Sequence, residues 1–180
     1  SISEMLEEIA EFYPVDYILI DARAGFHDMG GIVTAQIPHG AVLFGNNSRQ
    51  SWDGITQVLR TIAESHADDM PVAIADCMCD GISDAAMAAR RQFQQKAYTV
   101  CLENYYTEGE EVPGPEAQDV AHSPIYLPFE NDLKRDIKLF SEGSPSGNAQ
   151  VQELVRRLTG PTYEAIKNRM ETWFGEEENG

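Results

Sequence analysis

The sequence predicts an α/β fold, a mostly parallel sheet with flanking helices, and three observations predict it. Short apolar runs at residues 17–20, 41–45 and 72–78 are rich in strand formers and too short for helices. The first two are continuous rather than alternating in polarity, as strands buried in a parallel sheet are. Segments with apolar residues at helical spacing, about ten to fifteen residues long, follow them, which is the rhythm of βα units. The first run also ends abruptly in Asp21, with Gly25, Gly30 and Gly31 close behind. In open α/β sheets ligands lie just outside the carboxyl ends of strands. At 180 residues and 42% hydrophobic, the chain suffices for one domain with a real core, and nothing in it marks a second, so residues 1–180 are read as a single domain.

Taken in order, residues 1–13 open with a capping-box pattern, Ser1 with Glu4. Ile2, Met5, Leu6, Ile9 and Phe12 then fall on one helical face, and Pro14 ends the helix. A strand at 16–21 and a glycine-containing loop follow, and residues 32–37 continue as a short helix until Pro38. Residues 41–45 form a second strand. After the polar stretch 46–53, Ile55, Val58, Leu59 and Ile62 recur at helical spacing as far as Ser65. A third strand spans 72–78, and Ser83 or Asp84 caps a helix that turns its alanines and Phe93 inward up to about Ala97. A fourth, shorter strand is expected at 99–102.

Residues 104–123 read as a long surface loop, functional or simply disordered. A last strand at 125–127 stops at Pro128. Residues 132–140 are helical, 141–148 form a Gly/Ser/Pro break, and 151–174 are helical with an interruption at Gly160 and Pro161.

Charge and cysteine usage narrow the setting. A formal net charge of −17, from 30 acidic and 13 basic residues, opposes direct binding to nucleic acid or to an anionic membrane. A basic protein partner fits better, although acidic runs such as 108–111 and 176–178 are ordinarily solvated loops and tails. Three cysteines, Cys77, Cys79 and Cys101, form no disulfide framework and point to a reducing, cytoplasmic compartment. The Cys-Met-Cys step at 77–79 has no nearby histidine and reads as small apolar residues in or just after a strand rather than a metal clip. No apolar stretch is long enough to span a membrane, and no signal-peptide pattern opens the chain.

Asp21, at the end of the first strand, has two readings on its spacing alone: a ligand-facing carboxylate, or a cap for the following turn. The residues around it carry a resemblance. DYILIDARAGFHDMGGIVT, followed by AVLFGNNSRQSWDGITQVLRTI, resembles the second half of ParA/MinD-like P-loop ATPases, in the branch whose switch segment reads like D-S-R-T-G-x-x-D-x-x-G. The resemblance implies that Asp21 is the Walker B aspartate, holding Mg through water. It implies that Gly25 is the switch II glycine, whose amide senses the γ-phosphate, and that Arg23 and Asp28 are charged positions of the same loop. Mg and ATP are then ligands of the complete protein, whose ATP-driven dimerisation controls a partner. Ala22 and Ala24 depart from the pattern, where small hydroxyl residues are common.

A phosphate-binding loop of the form G-x-x-x-x-G-K-[ST] does not occur: none of Lys96, Lys134, Lys138 and Lys167 follows a glycine. The expectation is therefore a carboxy-terminal portion of a longer nucleotide-binding protein, whose partner is the missing amino-terminal half or a second copy. The isolated chain is expected to be inactive and to bind no cofactor. In the resembled fold the phosphate-loop strand lies between the strands expected here at 16–21 and 41–45. Without it the chain must pair those strands directly, borrow a strand, or expose edges. The reading from a different class is a non-catalytic acidic interaction module that keeps the fold without the chemistry.

Other candidates are weighed beside these. Asn46, Asn47, Ser48, Arg49 and Gln50 follow the second strand, where relatives show a polar N-x-x-Q-S-x-x-G run; the alternatives are a nucleotide-proximal or dimer-facing loop and an ordinary helix-capping turn. Asp76 and Asp80 flank the third strand end, where relatives contact the nucleotide base. Trp52, Arg90, Arg91, Arg156 and Arg157 read as packing or solvated charge. His27, His39, His66 and His122 supply neither ligand spacing nor an oriented triad. No G-x-S-x-G elbow supports a serine hydrolase.

Overall fold

The computed structural model describes residues 2–22, 37–66, 70–79, 81, 83–109, 111–129, 149–158 and 160–174. Three parallel strands form its centre: β1 (Ala41–Gly45), β2 (Val72–Cys79) and β3 (Ile125–Pro128), in that spatial order. The five helices of the described residues are α1 (Ile2–Phe12), α2 (Arg49–His66), α3 (Asp84–Asn104), α4 (Ala149–Leu158) and α5 (Pro161–Phe174). The chain is α/β with helices on both faces of the sheet, as its apolar pattern predicts.

Alternation along the strands assigns the two faces. Val72 and Ile74 of β2 join Trp52, Ile55, Leu59 and Ile62 of α2 and Phe93, Ala97, Val100 and Cys101 of α3 in one core, with Ala41 and Leu43 of β1 packed on it. Ala73 and Ala75 join Ile125 and Leu127 of β3 on the other face, where Val42, Ala165, Ile166 and Trp173 close over them. The small alanines let α5 approach: a Cβ on Gly40 would meet Trp173 ring atoms at 3.0 and 3.1 Å. Phe93 is fully buried, with its ring centroid 4.6 Å from that of Trp52.

Two expected strands are corrected. Residues 99–102 lie inside α3, which Ser83 caps by accepting a hydrogen bond from the Ala86 amide at 3.2 Å, and which runs on to Asn104. Val100 and Cys101 fall seven and eight residues after Phe93 and continue its buried face, so helical packing overrides the strand propensity of a short β-branched run.

The second correction is the run at 16–21, which is irregular and makes no ladder. Tyr17, Ile18, Leu19 and Ile20 are all exposed, Leu19 to 78%. An apolar run becomes a strand only if a neighbouring strand takes its backbone groups, and among the described residues none does. The Tyr17 ring instead lies 6.3 Å from that of Phe174 at the end of α5. Among the described residues the outer edge of β1 is also unpaired, and Phe44 on it is 58% exposed. The helices expected at 32–37 and 132–140 lie outside the described residues, apart from Ile37.

The loop after α3 is ordered rather than loose. His122 is fully buried, with Nε2 3.0 Å from the Gly114 carbonyl and Nδ1 2.6 Å from the Tyr106 hydroxyl. A carbonyl can only accept, so Nε2–H donates to Gly114, and Nδ1 shares the second hydrogen bond with the tyrosine hydroxyl. Gln94 of α3 donates to the Pro115 carbonyl at 2.9 Å and fixes the same loop from the other side.

Candidate functional site

The carboxyl edge of the sheet, where α/β folds place their ligands, is marked by one rung of residues: Gly45 of β1 pairs with Asp76 of β2, and Asp76 with Tyr126 of β3. Gly45 is required there by close approach, since a Cβ would meet Ser51 Oγ at 2.5 Å and Ile55 Cδ1 at 2.6 Å. The chain then turns sharply into α2. The Asn46 amide donates to Ser51 Oγ at 2.9 Å, Asn46 Oδ1 accepts from the Ser48 amide at 3.0 Å, and the Ser51 amide donates to Ser48 Oγ at 3.2 Å. Ser48 is therefore the N-cap of α2 and Asn46 closes an Asx turn.

Asn47 is engaged with the core. It accepts from Trp52 Nε1 at 3.2 Å and donates to Gln92 of α3 at 3.3 Å. Of the two readings of residues 46–50, the capping turn accounts for the side-chain hydrogen bond of Asn46, whereas those of Asn47 go to Trp52 and to Gln92 of α3.

Asp76 is only 8% exposed, and burial pushes its carboxyl above the usual aspartate range, opposed by a hydrogen bond with Cys79 and by the Arg90 charge. Arg90, on α3, stacks over the Tyr126 ring with Cζ 5.2 Å from its centroid, and the Tyr126 hydroxyl donates to the Arg90 carbonyl at 3.3 Å. Cys79 is pushed up to about 12 by burial and by Asp76, and Cys101 up to about 12 by burial alone. Both thiols are protonated at neutral pH and are not nucleophiles there. Cys77 and Cys79 both lie in β2, in or just after which the composition places them, Cys79 buried and Cys77 half-buried.

The constellation of Asp76, Cys79, Arg90 and Tyr126 goes beyond the sequence reading, which took Arg90 for packing or solvated charge. Arg90 reaches the cluster because α3 crosses back over β2 and β3, a convergence that no local spacing reports. Sequence signals it only through a carboxylate inside an otherwise apolar strand.

The sign of the Asp76 shift gives a test. A carboxyl raised above its unfolded value contributes stability at low pH that is lost as pH rises through the folded value. Asp76→Asn carries no such loss, so its thermal midpoint should equal or exceed that of the wild type at pH 7, with the difference closing towards pH 4. Midpoints measured across that range would disprove the assignment if the Asn variant were the less stable at pH 7, since the Arg90 attraction would then outweigh burial.

Asp21 is exposed, and no hydrogen bond or ion pair joins it to Asp76 or to the Asn46–Ser51 turn. Arg23, Gly25 and Asp28, with His27 and Asp80, lie outside the described residues. Among the described residues no group of three or more His, Cys, Asp or Glu could hold a metal, and no helix is long and apolar enough to cross a membrane. Comparison with known proteins finds no matching family model, no matching curated protein and no matching solved structure.

Proposed function

We propose that the chain is the Walker B and switch II half of a ParA/MinD-like cytoplasmic ATPase whose ATP-dependent dimerisation controls a partner. One observation supports this most: among the described residues, a parallel sheet covered by helices on both faces stops at an unpaired β1 edge, while the apolar run 17–20 that leads into Asp21 also lies outside the sheet. Parallel sheets ordinarily bury such strands. A strand between that run and β1, the position of the phosphate-loop strand in the resembled family, would satisfy both.

Asp21 fits the metal role on the chemistry of its donor. Mg keeps several waters and is held by one or two carboxylates together with nucleotide phosphates, so a single exposed aspartate beside a glycine loop suffices where a cage of acids is not needed. When bound, Mg neutralises charge on the phosphates. Asp21 would hold its waters, and the Gly25 amide would face the γ-phosphate.

Two measurements test the reading. The coding sequence preceding Ser1 should specify a glycine-rich loop with its lysine, and its absence sinks the ATPase. The 180-residue chain alone should bind Mg-ATP no tighter than about millimolar in titration calorimetry, because the amide cradle and lysine that give most phosphate affinity are not in it. Micromolar binding would mean that the chain carries a phosphate site of its own.

The second reading, an acidic interaction module without hydrolysis, is favoured by a different observation: α1 buries none of its residues and leaves its apolar side open.

A further inference from the structure

α1 is amphipathic, and its apolar side is only partly covered, with Ile2, Leu6 and Ile9 half-buried. Ile2, Met5, Leu6, Ile9, Phe12 and the following Tyr13 share one side of it, yet Met5, Phe12 and Tyr13 are 51%, 80% and 63% exposed. Met5, Glu8, Ile9, Phe12 and Tyr13 line a shallow groove. The helix carries Glu4, Glu7, Glu8 and Glu11 and no basic residue. These fall at spacings of three and four, where like charges weaken a helix, and a helix this short is marginal in water even with a favourable sequence. Something that covers the stripe and neutralises the glutamates would stabilise it.

We infer that the groove of α1 docks a basic amphipathic helix of a separate protein, its apolar side on Met5, Ile9 and Phe12 and its Lys or Arg flank on Glu8 and Glu11. Charge chooses this occupant. A second copy of α1 would set four more glutamates against these at this groove, whatever contacts copies make elsewhere, and an anionic membrane or a nucleic acid would be repelled in the same way. Methionine and phenylalanine beside acids are the chemistry with which adaptable grooves take basic helices. The inference deepens the interaction-module reading and rests on it; it does not depend on ATP.

The probe is a fluorescent peptide repeating LKKLLKL, with an LEELLEL repeat as its counterpart, and the readout is anisotropy against the full 180-residue chain. The basic peptide should bind at about micromolar Kd and weaken as salt rises, and the acidic one should not bind. Met5→Ala/Phe12→Ala keeps the charge, does not lower the helix propensity, and should weaken binding at least about tenfold. Glu8→Lys/Glu11→Lys should shift preference towards the acidic peptide. Equal binding by the wild type and Met5→Ala/Phe12→Ala, which would mean attraction to net charge alone, overturns the proposal, as does no binding by the wild type. Loss of Mg-ATP binding in a completed protein would bear on the ATPase reading and leave this result untouched.

Discussion

In the protein completed by a phosphate-binding loop, Asp21→Asn should lower ATP turnover on the order of a hundredfold and leave the thermal midpoint nearly unchanged. A Walker B carboxylate acts on the metal and its waters, so asparagine keeps the shape and hydrogen-bonding capacity but removes the negative charge that offsets magnesium. A loss of about 3 kcal/mol of transition-state stabilisation corresponds to that rate. Exposure of Asp21 removes any burial term from the stability side, so folding has little reason to respond. If Asp21 is instead a cap, the pattern reverses. Asparagine caps nearly as well as aspartate and turnover stays normal, whereas Asp21→Ala lowers stability by about 1 kcal/mol. ATPase rate and thermal midpoint for both variants decide it, and a normal rate in the Asn variant removes Asp21 from the catalytic site.

The elements that could be read from sequence are those whose pattern and partner agree. Val72 to Cys79 is apolar apart from Asp76 and is the middle strand, flanked by β1 and β3, so its composition and its surroundings call for the same structure. Tyr17 to Ile20 has the same composition but lacks the neighbour, and composition alone cannot supply one. Val100 and Cys101 failed in the other direction: a short apolar run suits a strand or a helix equally, and the choice was made by Ala97 and Phe93, one and two turns earlier. The turn at Asn46 to Ser51 was legible as polar and helix-preceding, but its division between capping and ligand contact needed the hydrogen bonds. The Asp76 cluster depended on Arg90, which sits on a different element and meets Asp76 only once α3 has packed.

The loop at 105–123 was open between function and disorder because its acidic, proline-containing sequence says nothing of the two buried groups that pin it, His122 from within and Arg169 from α5. Arg169 is 6% exposed, with Nη1 donating to the Val120 carbonyl at 2.8 Å and Nη2 to the Ser123 carbonyl at 3.5 Å. Burial lowers the guanidinium below its ordinary value, opposed by Asp119 at 3.5 Å, and it stays charged. Arg169→Met keeps the unbranched apolar stem and leaves both carbonyls without this donor, at about 1 to 3 kcal/mol each. The expected loss is about 3 kcal/mol, a fall of roughly 10 °C in thermal midpoint, with faster proteolysis inside the loop. Asp119 should matter far less. Its side chain is 79% exposed, its backbone sits at φ +58° where asparagine is also tolerated, and Asp119→Asn should change the midpoint by little. Arg169→Lys should fall between, because one ammonium cannot reproduce the forked geometry that spans two carbonyls. If the Met variant melts with the wild type and its loop resists protease equally, His122 and Gln94 alone hold the segment, and the buried guanidinium is not its anchor.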